Sequence, residues 1–379
     1  MSTNACGTNE DRRLFEIVAK RVADRPAAPD QPSGDKAVAA DIMRLSLESV
    51  RAHIRLTSDA RRADGQAFRV YPGYIETTKI GALASREGPL HVCGVYAGLA
   101  AACYETANFC LAQASMFPDV GDPTAEISPA PLDKKSPGFW MRDIGKRLDT
   151  EAFIEQGRTY LAQDPQRQTT ALLLAVLMLR VVWFHELAHC LNGHLEWGSR
   201  TYGLTCLFDG ADPDLPQPVF PEAHLVEYDA DQSALMLACK VQLAGAENIT
   251  GLLAMPLAQR LHLTLFAAYA VTMILAEWGR AYPFMVRDES HPPATLRLAN
   301  QVRTVASNVL PLAAEVKTAN AAAFDDLRKL SALVPAFPSI DAVVTGPDAS
   351  ALHDGLDRAQ DALAELRHRL QPHLYQTIA

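Results

Sequence analysis

Apolar positions recur three and four residues apart along much of the chain, which is the spacing of an amphipathic helix. This pattern predicts two N-terminal helices, over residues 9–25 and 35–60, separated by the proline-rich stretch PAAPDQPSG. Between residues 68 and 84, β-branched and aromatic side chains favour one or two short strands instead. The expected fold class is therefore mainly α, with a small β element.

The middle of the chain continues this helical pattern. A helix rich in small residues is expected over 94–116, followed by a Pro-, Asp- and Ser-rich surface excursion over 117–138 that could line a cleft. Residues 168–192 predict one continuous helix, which Gly193 is placed to end. The loop LFDGADPDLPQPVFP then precedes a helix over about 221–243.

The remaining chain alternates helical stretches with the breaks HPP, VPAFP and TGPD and ends in a charged amphipathic helix over 349–370. We interpret the whole as three parts. Residues 1–85 form an N-terminal helical layer with short strands, 86–310 a catalytic domain, and 311–379 a C-terminal helical segment.

Three apolar stretches, 88–104, 168–179 and 263–276, invite comparison with membrane spans. A span needs about 20 consecutive apolar residues. The first stretch contains Pro89 and His91, and the other two are shorter and bounded by charged residues. Buried core helices are the better interpretation, and a membrane location is not expected.

Composition narrows the function classes further. With 49% hydrophobic and 21% charged residues, the chain can bury a large core, while its net charge of −9 and lack of basic runs argue against nucleic-acid binding. The seven cysteines form no CxxC pair, so neither a disulfide framework nor a thiolate zinc site is indicated. No secretory signal is recognisable at the start, and a cytoplasmic location is expected.

The sequence HELAH, from His185 to His189, carries the most specific chemistry. Residues four apart lie on one face of a helix, so both imidazoles can bind a single metal ion. Glu186 lies beside that face, where it can accept a proton from an attacking water. This arrangement predicts zinc-assisted hydrolysis, provided that another part of the chain supplies a third ligand.

The third ligand is expected from the next helix. Glu227 and Asp231 form an ExxxD pair about 40° apart on one helix face. Glu227 would reach the metal, and Asp231 would accept a hydrogen bond from a zinc-bound histidine and fix its tautomer. The metzincin pattern fails, because Asn192 and Leu195 stand where that pattern requires Gly and His.

Other side chains near these motifs leave alternatives open. His224, three residues before Glu227, is a competing third ligand or a substrate contact. His194 follows the helix-ending glycine and could cap carbonyls or line the cleft. Asp229 points elsewhere on its helix, and Cys190 is interpreted as a small buried apolar residue.

HELAHCLNGH, followed by EYDADQSA and later by SHPPATLRL, resembles the gluzincin peptidases related to the heat-shock membrane metalloproteases and the prenyl-protein endopeptidases. The resemblance covers about 180–300. It implies zinc ligands His185, His189 and Glu227, the general base Glu186 and a supporting Asp231. It also implies an oxyanion or substrate role for His291, with Arg297 nearby.

Those membrane families carry transmembrane helices, which are not evident here, so soluble relatives are nearer. The short HExxH signature is also similar to that of the soluble phage-exclusion Lit-type peptidases. The leading hypothesis is a zinc endopeptidase that acts on a protein or peptide substrate, with Glu186 and His291 as catalytic residues. The alternative is a zinc-binding pseudo-peptidase with a regulatory or interaction role. The sequence does not predict the oligomeric state.

Overall fold

The computed structural model describes residues 7–22, 25–26, 37–130, 160–209, 220–281, 291–347 and 349–377. Over these ranges the chain is mainly α-helical, with one small sheet and one further strand pair. The expected fold class is thereby confirmed. The division into three parts stays a prediction, and most of PAAPDQPSG and of LFDGADPDLPQPVFP lies outside the described residues.

Twelve α-helices occur within the described ranges. In chain order they are α1 (Asn9–Val22), α2 (Ala37–Leu56), α3 (Ala97–Leu111), α4 (Pro165–Leu191), α5 (His194–Tyr202), α6 (Ala223–Leu243), α7 (Thr250–Leu253), α8 (Leu257–Ala281), α9 (Ala294–Thr304), α10 (Ala314–Leu333), α11 (Ile340–Val344) and α12 (Ala349–Leu370). The breaks HPP, VPAFP and TGPD separate helices as predicted.

The strands are β1 (Arg25–Pro26), β2 (Ala60–Arg61), β3 (Val70–Glu76), β4 (Ala82–Glu87), β5 (Leu90–Tyr96), β6 (Cys206–Asp209) and β7 (Gln376–Thr377). Five of them form a sheet in the order β1-β3-β5-β4-β6, in which only β3 and β5 are parallel. The other two, β2 and β7, pair with each other. The C-terminal strand therefore returns to the N-terminal part of the fold.

Residues 88–104 were predicted as a core helix and 94–116 as one helix. Both predictions are wrong for the residues that form β5. The chain is extended up to Tyr96, and α3 begins only at Ala97. All seven residues of β5 are buried. A strand buried on both faces shows no alternation of polar and apolar residues, so periodicity cannot distinguish it from a core helix.

Helix α4 lies at the centre of the fold, where it contacts α2, α3, α6 and α8 as well as β4 and β5. Its Trp183 packs edge-on against Tyr74 of β3, with ring centroids 5.2 Å apart. Because helices and strands pack around α4 on all sides, no face of it beyond its first turns is exposed to solvent, and the sequence before its histidines is therefore almost entirely apolar. The fold thus holds the HExxH residues on its most enclosed element.

Two helical stretches, Pro165–Leu191 and Leu257–Trp278, are long and apolar enough to cross a membrane. In each, 94% of the most apolar window is buried within the protein. Such burial is typical of core helices, in agreement with the interpretation of 168–179 and 263–276.

Arg167, on the first turn of α4, organises the chain that follows α3. Its guanidinium is fully buried and donates five hydrogen bonds of 2.8–3.0 Å to backbone carbonyls. The acceptors are the carbonyls of Leu111, Gln113, Met116, Phe117 and Val120. Phe117 and Val120 are buried, but the other described residues of the predicted surface excursion, 118–119 and 121–130, are exposed or half-buried, as predicted, while 131–138 lie outside the described range.

A second buried arginine, Arg180, lies between the start of α4 and the HExxH residues. It donates two hydrogen bonds to Glu247, of 2.6 and 2.7 Å, and a third to Ser49 of α2. Both partners of the ion pair are buried. The pair fastens α4 to the loop that follows α6.

This ion pair should make the fold sensitive to acid. Burial acts to raise the pKa of Glu247, but the hydrogen bonds and charge of Arg180 outweigh burial and lower that pKa. The folded state therefore binds fewer protons than the unfolded state. The stabilisation is complete above the ordinary glutamate pKa of about 4.3 and is lost as the pH falls through the lower, folded-state pKa.

We expect the free energy of unfolding of the wild type to fall more steeply below about pH 4.3 than that of Glu247→Gln. Urea unfolding across the acid range measures both slopes. The matched control is Glu48→Gln, which alters an exposed ion pair with Arg44 and should leave the slope unchanged. Equal slopes for wild type and Glu247→Gln would contradict the prediction.

Candidate metal centre

The last turns of α4 carry the HExxH residues. Asp164 begins the helix by accepting a hydrogen bond of 2.9 Å from the backbone N–H of Arg167, and Pro165 occupies the first turn. His185 and His189 lie one turn apart, are both buried, and have their Nε2 atoms 3.0 Å apart. The predicted convergence of the two imidazoles is therefore present.

Gly193 turns the chain directly after α4. Its φ of +76° lies in the left-handed region, and a Cβ at this position would come within 2.6 Å of the backbone of His373. The helix ends at Leu191, so the predicted role of Gly193 in ending it is confirmed. The turn also places His194, the first residue of α5, beside the preceding helix.

Helix α6 packs against α4 and supplies the carboxylate. Glu227 Oε2 lies 3.2 Å from His185 Nε2, and Glu227 Oε1 lies 3.5 Å from His189 Nε2. All three side chains are buried, with one donor atom of each within 4.8 Å of the others. Glu227 Oε2 is buried and accepts no hydrogen bond from the described residues. The group could hold a metal ion.

Asp231 stands behind the first histidine, where the ExxxD spacing predicts it. Its Oδ1 lies 3.0 Å from His185 Nδ1. Arg297 of α9 donates to both carboxylate oxygens, at 2.7 and 2.8 Å. Burial acts to raise the pKa of Asp231, but the charge and hydrogen bonds of Arg297, together with His185, hold it well below its ordinary value. Asp231 is therefore an ionised acceptor that favours the Nδ1–H tautomer of His185.

The second histidine has a different partner. His189 Nδ1 lies 2.9 Å from His194 Nδ1, and His194 Nε2 lies 3.0 Å from Asp229 Oδ2. Asp229 also accepts hydrogen bonds of 2.6 Å from Asn192 and from Arg367 of α12. Although Asp229 faces away from Glu227 on α6, it thus reaches the centre through His194.

The surroundings of His189 favour the neutral form of its imidazole. Burial, followed by the neighbouring His185 and His194, holds the pKa of His189 well below its ordinary value. Burial acts to raise the pKa of Asp229, but the hydrogen bond from His194 and the charge and hydrogen bond of Arg367 lower that pKa to about 2. A neutral imidazole next to a fixed carboxylate is the state in which histidine binds metals.

Glu186 is completely buried next to the two histidines. Burial raises the pKa of Cys206 on the edge strand β6 to about 12, and the charge of Glu186 acts in the same direction. The Glu186 backbone carbonyl accepts a hydrogen bond from Cys190 Sγ at 3.3 Å, and Cys190 is a buried thiol.

The remaining candidates differ in their distance from the centre. His291 Nε2 lies 3.8 Å from Glu227 Oε2, with its side chain mostly buried, so HPPATLRL, the described part of the segment SHPPATLRL, does reach the centre. His224 is half-buried, and the donor group found among the described residues does not include it. The structure thus favours Glu227 over His224 as the third donor.

The C-terminal segment after α12 packs against the end of α4. The backbone N–H of Tyr375 donates to the Leu191 carbonyl at 3.0 Å. Its hydroxyl donates to the buried Glu196 of α5 at 2.9 Å, and His91 Nε2 of β5 lies 2.6 Å from the same carboxylate oxygen. We call Glu196, His91 and Tyr375 the C-terminal brace, because they connect α5, the sheet and the C-terminal segment.

Comparison with protein-family models, with curated proteins and with solved structures finds no match to this chain. The resemblance to the gluzincins therefore rests on the motif residues and their geometry. Sequence reasoning left the role of His194 open, between capping carbonyls and lining the cleft, and missed Asp229 and Arg367 as parts of the centre. For His194 the sequence held a signal, because His194 lies five residues after His189 and directly follows Gly193, which ends the helix. Nothing in the sequence links Arg367 to Asp229.

Proposed function

We propose that this protein is a zinc-dependent endopeptidase whose ligands are His185, His189 and Glu227. The supporting observation is the buried donor group, in which the atoms that face one another lie 3.0–3.5 Å apart. Zinc–ligand bonds of about 2.0–2.2 Å at tetrahedral angles would place neighbouring donor atoms about 3.3–3.6 Å apart. Two neutral nitrogens and one carboxylate are the donor set of catalytic zinc in several peptidases.

Zinc rather than a hard cation suits this chemistry, because calcium and magnesium prefer shells made of oxygen ligands. Three protein donors also leave one coordination position open, which separates a catalytic zinc site from a closed structural one. When bound, the ion would act as a Lewis acid that polarises a substrate carbonyl and lowers the pKa of water to about 7.

The protein's own residues then have distinct tasks. Glu186 takes a proton from the attacking water and hands it to the amine that leaves when the peptide bond breaks. His291, beyond Glu227, donates a hydrogen bond to the oxyanion that develops on the substrate carbonyl. Asp231, held by Arg297, orients His185. The HExxH and ExxxD resemblance to the gluzincins supports the same assignment.

Metal analysis of variants tests the ligand set. The purified wild type should contain about one zinc per chain, as expected for a single site, and His185→Ala and Glu227→Ala should each weaken zinc binding by more than about 100-fold. Competition with a chelator of known affinity measures the change. The matched control is His224→Ala, on the same helix but outside the donor group. Hydrolysis of a mixed peptide substrate should stop with chelator and return with zinc.

The control variant also shows how the assignment could fail. If His224→Ala loses zinc while Glu227→Ala keeps it, the third ligand is His224. If the wild type binds no zinc at all, the proposed function is wrong.

A further inference from the structure

The two imidazoles of the donor group are supported differently. His185 Nδ1 faces the Asp231 carboxylate directly. His189 Nδ1 faces another imidazole, that of His194, and the carboxylate of Asp229 comes only after it. Both aspartates lie on α6, but two residues apart they point about 160° away from each other around the helix axis. His194 fills the gap that this difference leaves behind His189.

Asp229 and the metal-facing nitrogen of His189 decide which group donates and which accepts in each of these hydrogen bonds. Both oxygens of Asp229 already accept, Oδ2 from Asn192 and Oδ1 from Arg367, so the carboxylate is the acceptor and His194 Nε2 donates to it. His189 Nδ1 and His194 Nδ1 are 2.9 Å apart, so only one of them carries the hydrogen between them. Because a metal-binding His189 uses Nε2, which faces His185 and Glu227, we place this hydrogen on His189 Nδ1, and His194 Nδ1 accepts it. His189 is left with a lone pair on Nε2, the atom that faces His185 and Glu227.

Asp229, at the end of this series of hydrogen bonds, is held in place by further partners. Asp229 Oδ2 also accepts from the Asn192 side chain, and Oδ1 accepts from Arg367. His194 is buried, with 1% of its surface exposed, so water does not compete for its nitrogens. The left-handed turn at Gly193 brings the ring back against α4.

From this geometry we infer that His194 is a positioning residue that locks His189 in its Nδ1–H tautomer, through the chain His189–His194–Asp229–Arg367. With its hydrogen held on Nδ1, His189 has its Nε2 lone pair oriented for metal binding even in the metal-free protein. The inference rests on the proposed function, because it assigns His194 a role toward a zinc ligand. It also makes α12 part of the support of the centre, through Arg367.

Two substitutions at one position test the lock. Asparagine places its Oδ1 where His194 Nδ1 lies and can still accept from His189, whereas leucine fills similar space without an acceptor. His194→Leu should weaken zinc binding by about 10- to 100-fold, as loss of an outer partner does, while His194→Asn should remain within about threefold of the wild type. Chelator competition measures all three affinities.

A second measurement reads the tautomer itself and needs no metal. Long-range ¹H–¹⁵N correlation spectra of the metal-free wild type should show His189 protonated at Nδ1, and those of His194→Leu should show a shift toward the Nε2–H form. A wild-type His189 protonated at Nε2 would overturn the inference even if the leucine variant failed to fold.

The affinity outcomes are equally decisive. Equal zinc affinity in His194→Leu and wild type would overturn the role of His194 and leave the proposed function intact. Equal losses in the leucine and asparagine variants, both folded by circular dichroism, would also overturn it, since packing alone would explain them. A wild type without zinc affinity would contradict the proposed function itself.

Discussion

Replacing Glu186 by glutamine should leave zinc bound and lower kcat for peptide hydrolysis by about 100- to 10,000-fold, the range that a general base contributes. Glutamine has nearly the shape of glutamate but cannot accept a proton from water. Because Glu186 is completely buried, the neutral amide should cost the fold little. A large loss of turnover with an unchanged metal content is therefore the expected signature.

Zinc content, the circular dichroism spectrum and kcat should be measured on the same preparation. Glu222→Gln is the matched control, since Glu222 contacts Tyr202 and Arg369 at the start of α6, and its turnover should match the wild type. A Glu186→Gln variant that retained more than a tenth of wild-type turnover would contradict the assignment. A zinc-loaded wild type that cleaves no peptide or protein would favour the pseudo-peptidase alternative.

Replacing Arg167 by methionine should lower the free energy of unfolding by about 4 kcal/mol or more, because each buried polar group left without a partner costs about 1–3 kcal/mol. Five backbone carbonyls would lose this donor at once, and two of them, those of Gln113 and Phe117, would keep a backbone N–H as a second donor. Arg167→Lys should cost less, since an ammonium group offers three donors in place of five.

Urea unfolding followed by tryptophan fluorescence measures this loss. Arg12→Met is the control, because Arg12 forms an exposed ion pair with Glu16 and its replacement should change stability by less than about 0.5 kcal/mol. Equal stabilities of Arg167→Met and the wild type would show that water can replace the guanidinium among these carbonyls.

The parts of the centre that the sequence predicts are those set by local helical geometry. His185 and His189 share a face because they are four residues apart, and the same spacing brings Glu227 and Asp231 to one side of α6. The short distances of Glu227 and Asp231 to His185 agree with that expectation. Helical periodicity suffices here because each pair lies within two turns.

The parts that the sequence did not predict depend on contacts between distant segments. Asp229 and Arg367 are 138 residues apart, and only the packing of α12 against α6 brings them together. Nothing in the sequence singled out Arg167, since four of the five carbonyls that bind it belong to the irregular stretch after α3, which has no periodicity. Strand β5 was hidden for a related reason, because full burial removes the alternation that identifies strands.

The C-terminal brace has a consequence for the order of events during synthesis. Tyr375 is 179 residues from its partner Glu196, so ribosomes that add about 5–20 residues per second need roughly 10–40 s to make the connecting chain. For most of that interval the nascent chain already carries His185, His189 and Glu227, without the segment that closes against the end of α4. We therefore expect the centre to become rigid only after Tyr375 has been made and β7 has paired with β2.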